Sequence, residues 1–253
     1  MGVNEVAASG FGAGADDYER GRPGYADDLL AWVAERSGMG PGATVVDLAA
    51  GTGKLTRLLV ATGATVLAVE PVDAMRDKLA DTCPDVPALE GTAESIPLPD
   101  ASVDVVTVAQ AFHWFDPAVA LPEIDRVLRP GGHLAIVFNE RDTTEPWVGE
   151  LSRLIRWDER ERWRVPYTVE VDWAPVIAEH GREFSPVERY DTTYRQPMDP
   201  ETLVARVLST SYLAVLPAGE QAALAEQVRR LVEPLGDAFE LPYVSVGYVA
   251  TRR

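Results

Sequence analysis

Lysine is nearly missing from this chain: Lys54 and Lys78 are the only two, and the net charge over 253 residues is −17. A phosphate backbone demands a stripe of cations, so nucleic acid is excluded as an expected partner. The acidity itself reads as a solubility feature or as the mark of a salt-adapted proteome. Cysteine is almost absent as well. Cys83 stands alone, which rules out an internal disulfide and fits a reducing, cytoplasmic compartment. His113, His133 and His180 are far apart with no cysteine or second histidine beside them, so no metal site is expected. No apolar run approaches the roughly 20 residues of a membrane span, and residues 1–14 lack the charged and apolar regions of a signal peptide. These absences leave a cytoplasmic protein without membrane contact, monomer or homodimer, acting on a small molecule. The length suits one large α/β domain over residues 11–253, with residues 1–10 disordered and 141–183 inserted as a cap.

What is present is organised around Val45-Val46-Asp47-Leu48-Ala49-Ala50-Gly51-Thr52-Gly53-Lys54-Leu55. An apolar run breaks into a glycine turn and restarts with helical spacing, as a strand, a ligand-binding loop and a helix. Glycine reaches φ > 0 cheaply, and the start of the helix offers unpaired N–H groups to a ligand. Thr56 occupies the place of the third glycine in a dinucleotide fingerprint. Leu48 and Leu55 stand where a Walker loop requires glycine and Ser or Thr. Neither of those two cofactor types is favoured.

Downstream, Thr65–Val69 reads as a central parallel strand ending at Glu70, seventeen residues after Gly53. An acidic group about 20 residues beyond such a loop accepts hydrogen bonds from ribose hydroxyls in this architecture. The bland alternative is an acidic strand end. Helices are expected from Asp27 or Asp28 with Leu29, Trp32 and Val33 inward, from Leu55 to Thr62, from an Asp73 cap to Leu79, and from an Asp116-Pro117 cap to Leu128. Further strands are expected at Ala88–Glu90, Val103–Ala109, His133–Phe138, Val187–Gln196 and Tyr243–Ala250. Helices are expected through Trp147–Trp157, Leu203–Leu213 and Ala222–Leu231. The strand at Val103–Ala109 delivers Gln110-Ala111-Phe112-His113-Trp114 to its carboxyl end, where ligands of open α/β sheets bind.

With Asp47 ending the strand and small residues at 49, 51 and 53, the organising stretch resembles the first motif of the class I S-adenosylmethionine (SAM) dependent methyltransferases, which usually carry glycine in place of Ala49. The run Gly91-Thr92-Ala93-Glu94-Ser95-Ile96-Pro97 is similar to that family's adenine-binding turn, and Tyr18-Glu-Arg-Gly-Arg22-Pro-Gly-Tyr25 to the cofactor lid of its type 11 branch. The resemblance covers residues 11–138 and implies a Rossmann-like, mostly parallel seven-stranded sheet of order 3-2-1-4-5-7-6 with helices on both faces and a helical cap. It implies SAM as cofactor and S-adenosylhomocysteine as product. The cofactor residues it implies are Tyr18, Arg22, Asp47, Ala49, Gly51, Gly53, Glu70, Thr92, Ala93, Glu94 and Gln110. The family often has Asp where Thr92 stands, so the adenine contact falls to Glu94 or to backbone.

Tyr25, Phe112, His113 and Trp114 are expected to line the substrate pocket. His113 is the candidate catalytic residue, as a base or as a polar wall that orients substrate. Trp147, Trp157, Trp163, Tyr167 and Trp173 make the 141–183 insertion aromatic, as a cap or as a dimer surface. Arg141, Arg153, Arg156 and Arg164 are candidate anchors for an anionic substrate, or plain surface arginines. Members similar to trans-aconitate methyltransferase esterify small carboxylic acids, which suggests O-methylation of a carboxyl or hydroxyl group. The alternative is a SAM-binding relative with a non-methylating reaction such as cyclisation.

Overall fold

The computed structural model describes residues 21–157, 171–181 and 183–253. Its frame is a seven-stranded sheet. β1 (Thr44–Leu48) lies at the centre and pairs in parallel with β2 (Thr65–Val69) on one side and β4 (Val103–Ala109) on the other. β3 (Ala88–Leu89) extends the sheet beyond β2, and β5 (Leu128–Arg141) beyond β4, again in parallel. β7 (Phe239–Thr251) runs against β5, since Gly131 meets Arg252 at one end and Asp142 meets Pro242 at the other. β6 (Glu188–Met198) closes the order 3-2-1-4-5-7-6. This is the Rossmann-like arrangement that the family resemblance implies.

The helices between strands are α1 (Asp27–Ser37), α2 (Lys54–Ala61), α3 (Asp73–Thr82) and α4 (Pro117–Val127). Later come α5 (Pro146–Leu154), α6 (Trp173–His180), α7 (Pro200–Leu208), α8 (Ser211–Ala214) and α9 (Ala218–Val232). None of the described helices is long and apolar enough to cross a membrane. Contacts divide the chain into two compact units. The first comprises residues 1–24, 140–166 and 193–244, and the second 25–139, 167–192 and 245–253. The predicted cap, 141–183, therefore contributes α5 to the first unit and α6 to the second.

The central strands form because their residues are β-branched and apolar on both faces. Val46, Leu48, Val106, Val108, Leu134 and Ile136 are all buried in one core cluster of the second unit. α4 covers that core with Leu121 and Ile124, and its start follows the predicted chemistry: Asp116 caps it by accepting from the Ala118 N–H at 3.1 Å, with Pro117 in the first turn. Asp73, by contrast, is not a cap. Val72 holds that position, and the Asp73 carboxylate is drawn instead to Arg76 one turn on, at 2.5 Å. The helix expected over Leu203–Leu213 is two helices, because the Ser209 hydroxyl donates to the Arg206 carbonyl and breaks the ladder between α7 and α8. β5 starts earlier than its apolar run suggests. Arg129-Pro-Gly-Gly132 forms an irregularity within the strand, and the register with β4 shifts between Val103 and Val105.

Candidate functional site

At the carboxyl end of β1 the backbone enters the left-handed region and returns to it twice: φ is 58° at Ala49, 57° at Gly51 and 86° at Gly53. Ala50 N–H is held by the Val69 carbonyl of β2 (3.2 Å) and Gly53 N–H by the Ala50 carbonyl (3.0 Å), so the loop is fixed in shape. For Ala49 that conformation costs about 1–2 kcal/mol, because its Cβ crowds the following carbonyl. Gln110, at the carboxyl end of the adjacent β4, shares it with φ 58°. Two strained non-glycine residues side by side at strand ends are a mark of a functional site. A Cβ at Gly51 would meet no atom within 4 Å, so the face of the loop at this position is open. At Gly53 a Cβ would lie 3.1 Å from Cys83 Sγ, which makes this glycine a packing requirement beneath the loop.

Glu70 ties the loop to the end of β2. Its Oε2 accepts the Gly51 N–H at 2.9 Å and its Oε1 the Val72 N–H at 3.0 Å. Each oxygen keeps a further lone pair, so the carboxylate could still accept two hydrogen bonds from a vicinal diol. Burial raises the Glu70 pKa, while these two N–H bonds and the Arg76 charge pull it back. Asp47 has a different surrounding. It is 1% exposed, its Oδ2 accepts the Thr56 hydroxyl at 2.6 Å, and its Oδ1 has no hydrogen-bond partner among the described residues. Burial pushes its pKa up to about 7 against the Thr56 bond, and repulsion from Glu70 adds to the rise. Thr56 thus does something its spacing did not announce. It stands where a dinucleotide loop has its third glycine, and the hydroxyl pins the β1 carboxylate from the first turn of α2.

The turn around Gly91 is fastened from α4. Arg126 donates to the carbonyls of Leu98 (2.8 Å) and Ile96 (3.0 Å), and Glu123 accepts the Ile96 N–H at 2.8 Å. Thr92 bridges Ser95, Ala93 is buried, and Glu94 accepts the Asp116 N–H at 3.2 Å. The Glu94 side chain is therefore tied to the start of α4. Gln110 donates to the Asn139 carbonyl at 3.1 Å, and Asn139 in turn accepts from Ser245 at 2.6 Å. Neither Asn139 nor Ser245 was signalled by any motif.

Beyond Gln110 a 3-10 turn spans Phe112–Trp114. Phe112 is fully buried, edge-on to Trp173 at 5.3 Å. Trp173 itself stacks on Phe138 at 5.7 Å within the same core. His113 and Trp114 are half-buried with rings 4.7 Å apart, and the His113 ring is 6.0 Å from Phe138. Tyr25 is buried. Arg22 belongs to the first unit, where it donates to the Ser209 carbonyl at 3.0 Å. Tyr18 lies outside the described residues, as do residues 1–10, Trp163, Arg164 and Tyr167.

Comparison with known proteins decides the family. Residues 46–136 match the model of a methyltransferase domain. Over 249 residues the chain is 40% identical to the uncharacterized methyltransferase Rv3342 of Mycobacterium tuberculosis, covering 95% of each. The chain belongs to the methyltransferase family. This methyltransferase is also 33% identical over 187 residues to a trans-aconitate 2-methyltransferase of Azoarcus, covering 69% of this chain and 68% of that one. In fold it is similar to a protein of Anabaena variabilis named as a methyltransferase of an antibiotic biosynthesis pathway, with a TM-score of 0.63 at 19% identity, covering 90% of this chain and 98% of that one. The family implies SAM as the methyl donor. The open face over Gly51 and the spare lone pairs of Glu70 fit such a ligand. A loop built for a phosphate would want the cations that this one lacks apart from Lys54.

Proposed function

We propose that this methyltransferase transfers the SAM methyl group to an oxygen of a small acceptor, a carboxyl or hydroxyl group. When bound, SAM supplies an electrophilic methyl on a cationic sulfur, so transfer is an in-line displacement without a covalent enzyme intermediate. The observation that carries the cofactor part is the Glu70 carboxylate bridging Gly51 and Val72 at the strand ends. In this reading Glu70 accepts the ribose hydroxyls, and Gly51 and Gly53 let the loop backbone approach the ligand. Ala49 and Gln110 shape that loop, Thr92, Ala93 and Glu94 hold the adenine turn, and Asp47 fixes the base of the loop through Thr56. Arg22 and Tyr18 serve the methionine carboxylate. The acceptor part is supported by the relative named trans-aconitate 2-methyltransferase, a name that specifies a polycarboxylic acid.

For a carboxyl acceptor no base is needed at pH 7, because the group is already ionised. Catalysis then rests on holding oxygen and methyl at near-attack distance, worth up to roughly 7–11 kcal/mol. His113, beside Trp114 and Phe138, orients the acceptor in that case and removes a proton when the acceptor is a hydroxyl. The test is transfer of labelled methyl from SAM to a panel of carboxylic acids, phenols and amines, read by mass, with His113→Ala beside the native enzyme. Ester or ether products are expected. His113→Ala lowers turnover on a hydroxyl acceptor by about 10²–10⁴-fold and on a carboxylate far less. Methylated amines as the only products overturn the O-methylation reading, and SAM consumption without methyl transfer favours the non-methylating alternative.

A further inference from the structure

Within the second unit, Asp47 of β1 stands in register with Ala68 of β2 on one side and Thr107 of β4 on the other. Side chains alternate between the faces of a sheet, so Glu70, two residues beyond Ala68, belongs to the face that carries Asp47. The two carboxylates are therefore diagonal neighbours at adjacent strand ends, and both are closed off from water, at 1% and 6% exposure. Two buried carboxylates that close resist carrying two charges, and the first charge goes to the better-stabilised group. Glu70 accepts the Gly51 and Val72 N–H groups at 2.9 and 3.0 Å and feels the charge of Arg76 on α3. What faces Asp47 is weaker: the Thr56 hydroxyl of α2, at 2.6 Å from Oδ2, the Thr107 hydroxyl of β4, and Glu70 itself, which repels. Glu70 therefore holds the charge and Asp47 the proton, which burial and Glu70 keep in place until pH rises through about 7.

SAM and S-adenosylhomocysteine differ by one positive charge, on sulfur. A second buried negative charge attracts the sulfonium and gives nothing comparable to the neutral thioether, all the more in a medium of low dielectric constant. We propose that Asp47 and Glu70 together read the charge on the cofactor's sulfur, and that ionisation of Asp47 tilts the loop toward SAM and away from the spent cofactor. This rests on the reading of the Glu70 loop as the SAM site. Asp47 acts here through its charge alone. Thr56 is a positioning residue: by donating to Oδ2 it stabilises the ionised carboxylate and so sets the pH at which the second charge appears.

The test is calorimetric titration of SAM and, separately, of S-adenosylhomocysteine into the full chain at half-unit steps from about pH 6 to pH 8.5, for the native protein, Asp47→Asn, Thr56→Val and Thr56→Ser. Asparagine stays neutral, so Asp47→Asn carries only the titration of the ligands themselves. Relative to it, the preference of the native protein for SAM over S-adenosylhomocysteine should rise at least about threefold across this range. Thr56→Val should move that rise upward by about half a pH unit or more, and Thr56→Ser should restore it. A hydroxyl that merely packs would change both affinities and leave the midpoint in place. Should Asp47→Asn fail to fold, the shift in Thr56→Val and its rescue by Thr56→Ser carry the test. The same pH profile of the preference in native and Asp47→Asn proteins, a preference for SAM that falls with pH, or an unmoved midpoint in Thr56→Val overturns the proposal. Binding of both ligands with a flat preference sinks the charge reading alone, whereas binding of neither sinks the assignment of the loop to SAM as well.

Discussion

Replacing Asp47 by Asn should change how the stability of this protein depends on pH. Folding raises the Asp47 pKa from 3.8 to about 7, because burial and the nearby Glu70 charge outweigh the Thr56 hydrogen bond to Oδ2, while Oδ1 has no hydrogen-bond partner among the described residues. The folded chain therefore binds this proton more tightly than the unfolded chain. The stability it contributes is fully present below about pH 4 and is lost as pH rises through 7. Each pH unit in that window removes about 1.4 kcal/mol, so about 4 kcal/mol is gone by pH 8. Asparagine stays neutral throughout, and its amide oxygen can still accept the Thr56 hydroxyl. Its NH2 inherits the unpartnered position, which offsets part of the gain. The variant should match the native protein within about 1–2 kcal/mol near pH 4.5 and exceed it by about 2–4 kcal/mol at pH 8. Urea unfolding of both proteins at half-unit steps from pH 4.5 to 8 measures the difference, in which the other carboxylates largely cancel. Parallel pH profiles, or a variant less stable at pH 8, would refute the assignment of a buried, proton-binding Asp47.

Two further outcomes follow from the loops. Ala49→Gly removes the left-handed penalty of about 1–2 kcal/mol and adds the entropy cost of glycine, about 0.5–1 kcal/mol, so the melting temperature should rise slightly or stay level; a clear fall would show that Ala49 is unstrained. Arg126→Ala unfastens the Gly91 turn from the Leu98 and Ile96 carbonyls, and should cost about 1–3 kcal/mol in urea unfolding and weaken S-adenosylhomocysteine binding; unchanged affinity would detach that turn from the cofactor.

Much of the sheet was legible because its strands are rich in apolar, largely β-branched residues. Thr65–Val69 and Val103–Ala109 form with the bounds their composition suggests. The start of β5 was not, since Pro130-Gly131-Gly132 looks like a stop while the backbone remains in the sheet through an irregularity. Glu70 and the glycine turn could be found because loop and strand are close in sequence. The Thr56 contact could not, because spacing reveals only that a glycine is missing and not that a hydroxyl reaches a carboxylate nine residues back. Arg141 was visible only as one arginine among four. Its burial beside Trp157, Arg206 and Tyr243, with no hydrogen-bond partner among the described residues, is set by contacts the fold brings in from other stretches of chain.

The account stands most directly on calorimetric titration of SAM into the native protein and into Glu70→Ala, with NAD as the control ligand. SAM should bind the native protein and NAD should not. Loss of the carboxylate that bridges Gly51 and Val72 should weaken SAM at least tenfold, about 1.4 kcal/mol. Unchanged SAM affinity in Glu70→Ala, or binding of NAD in place of SAM, would contradict it.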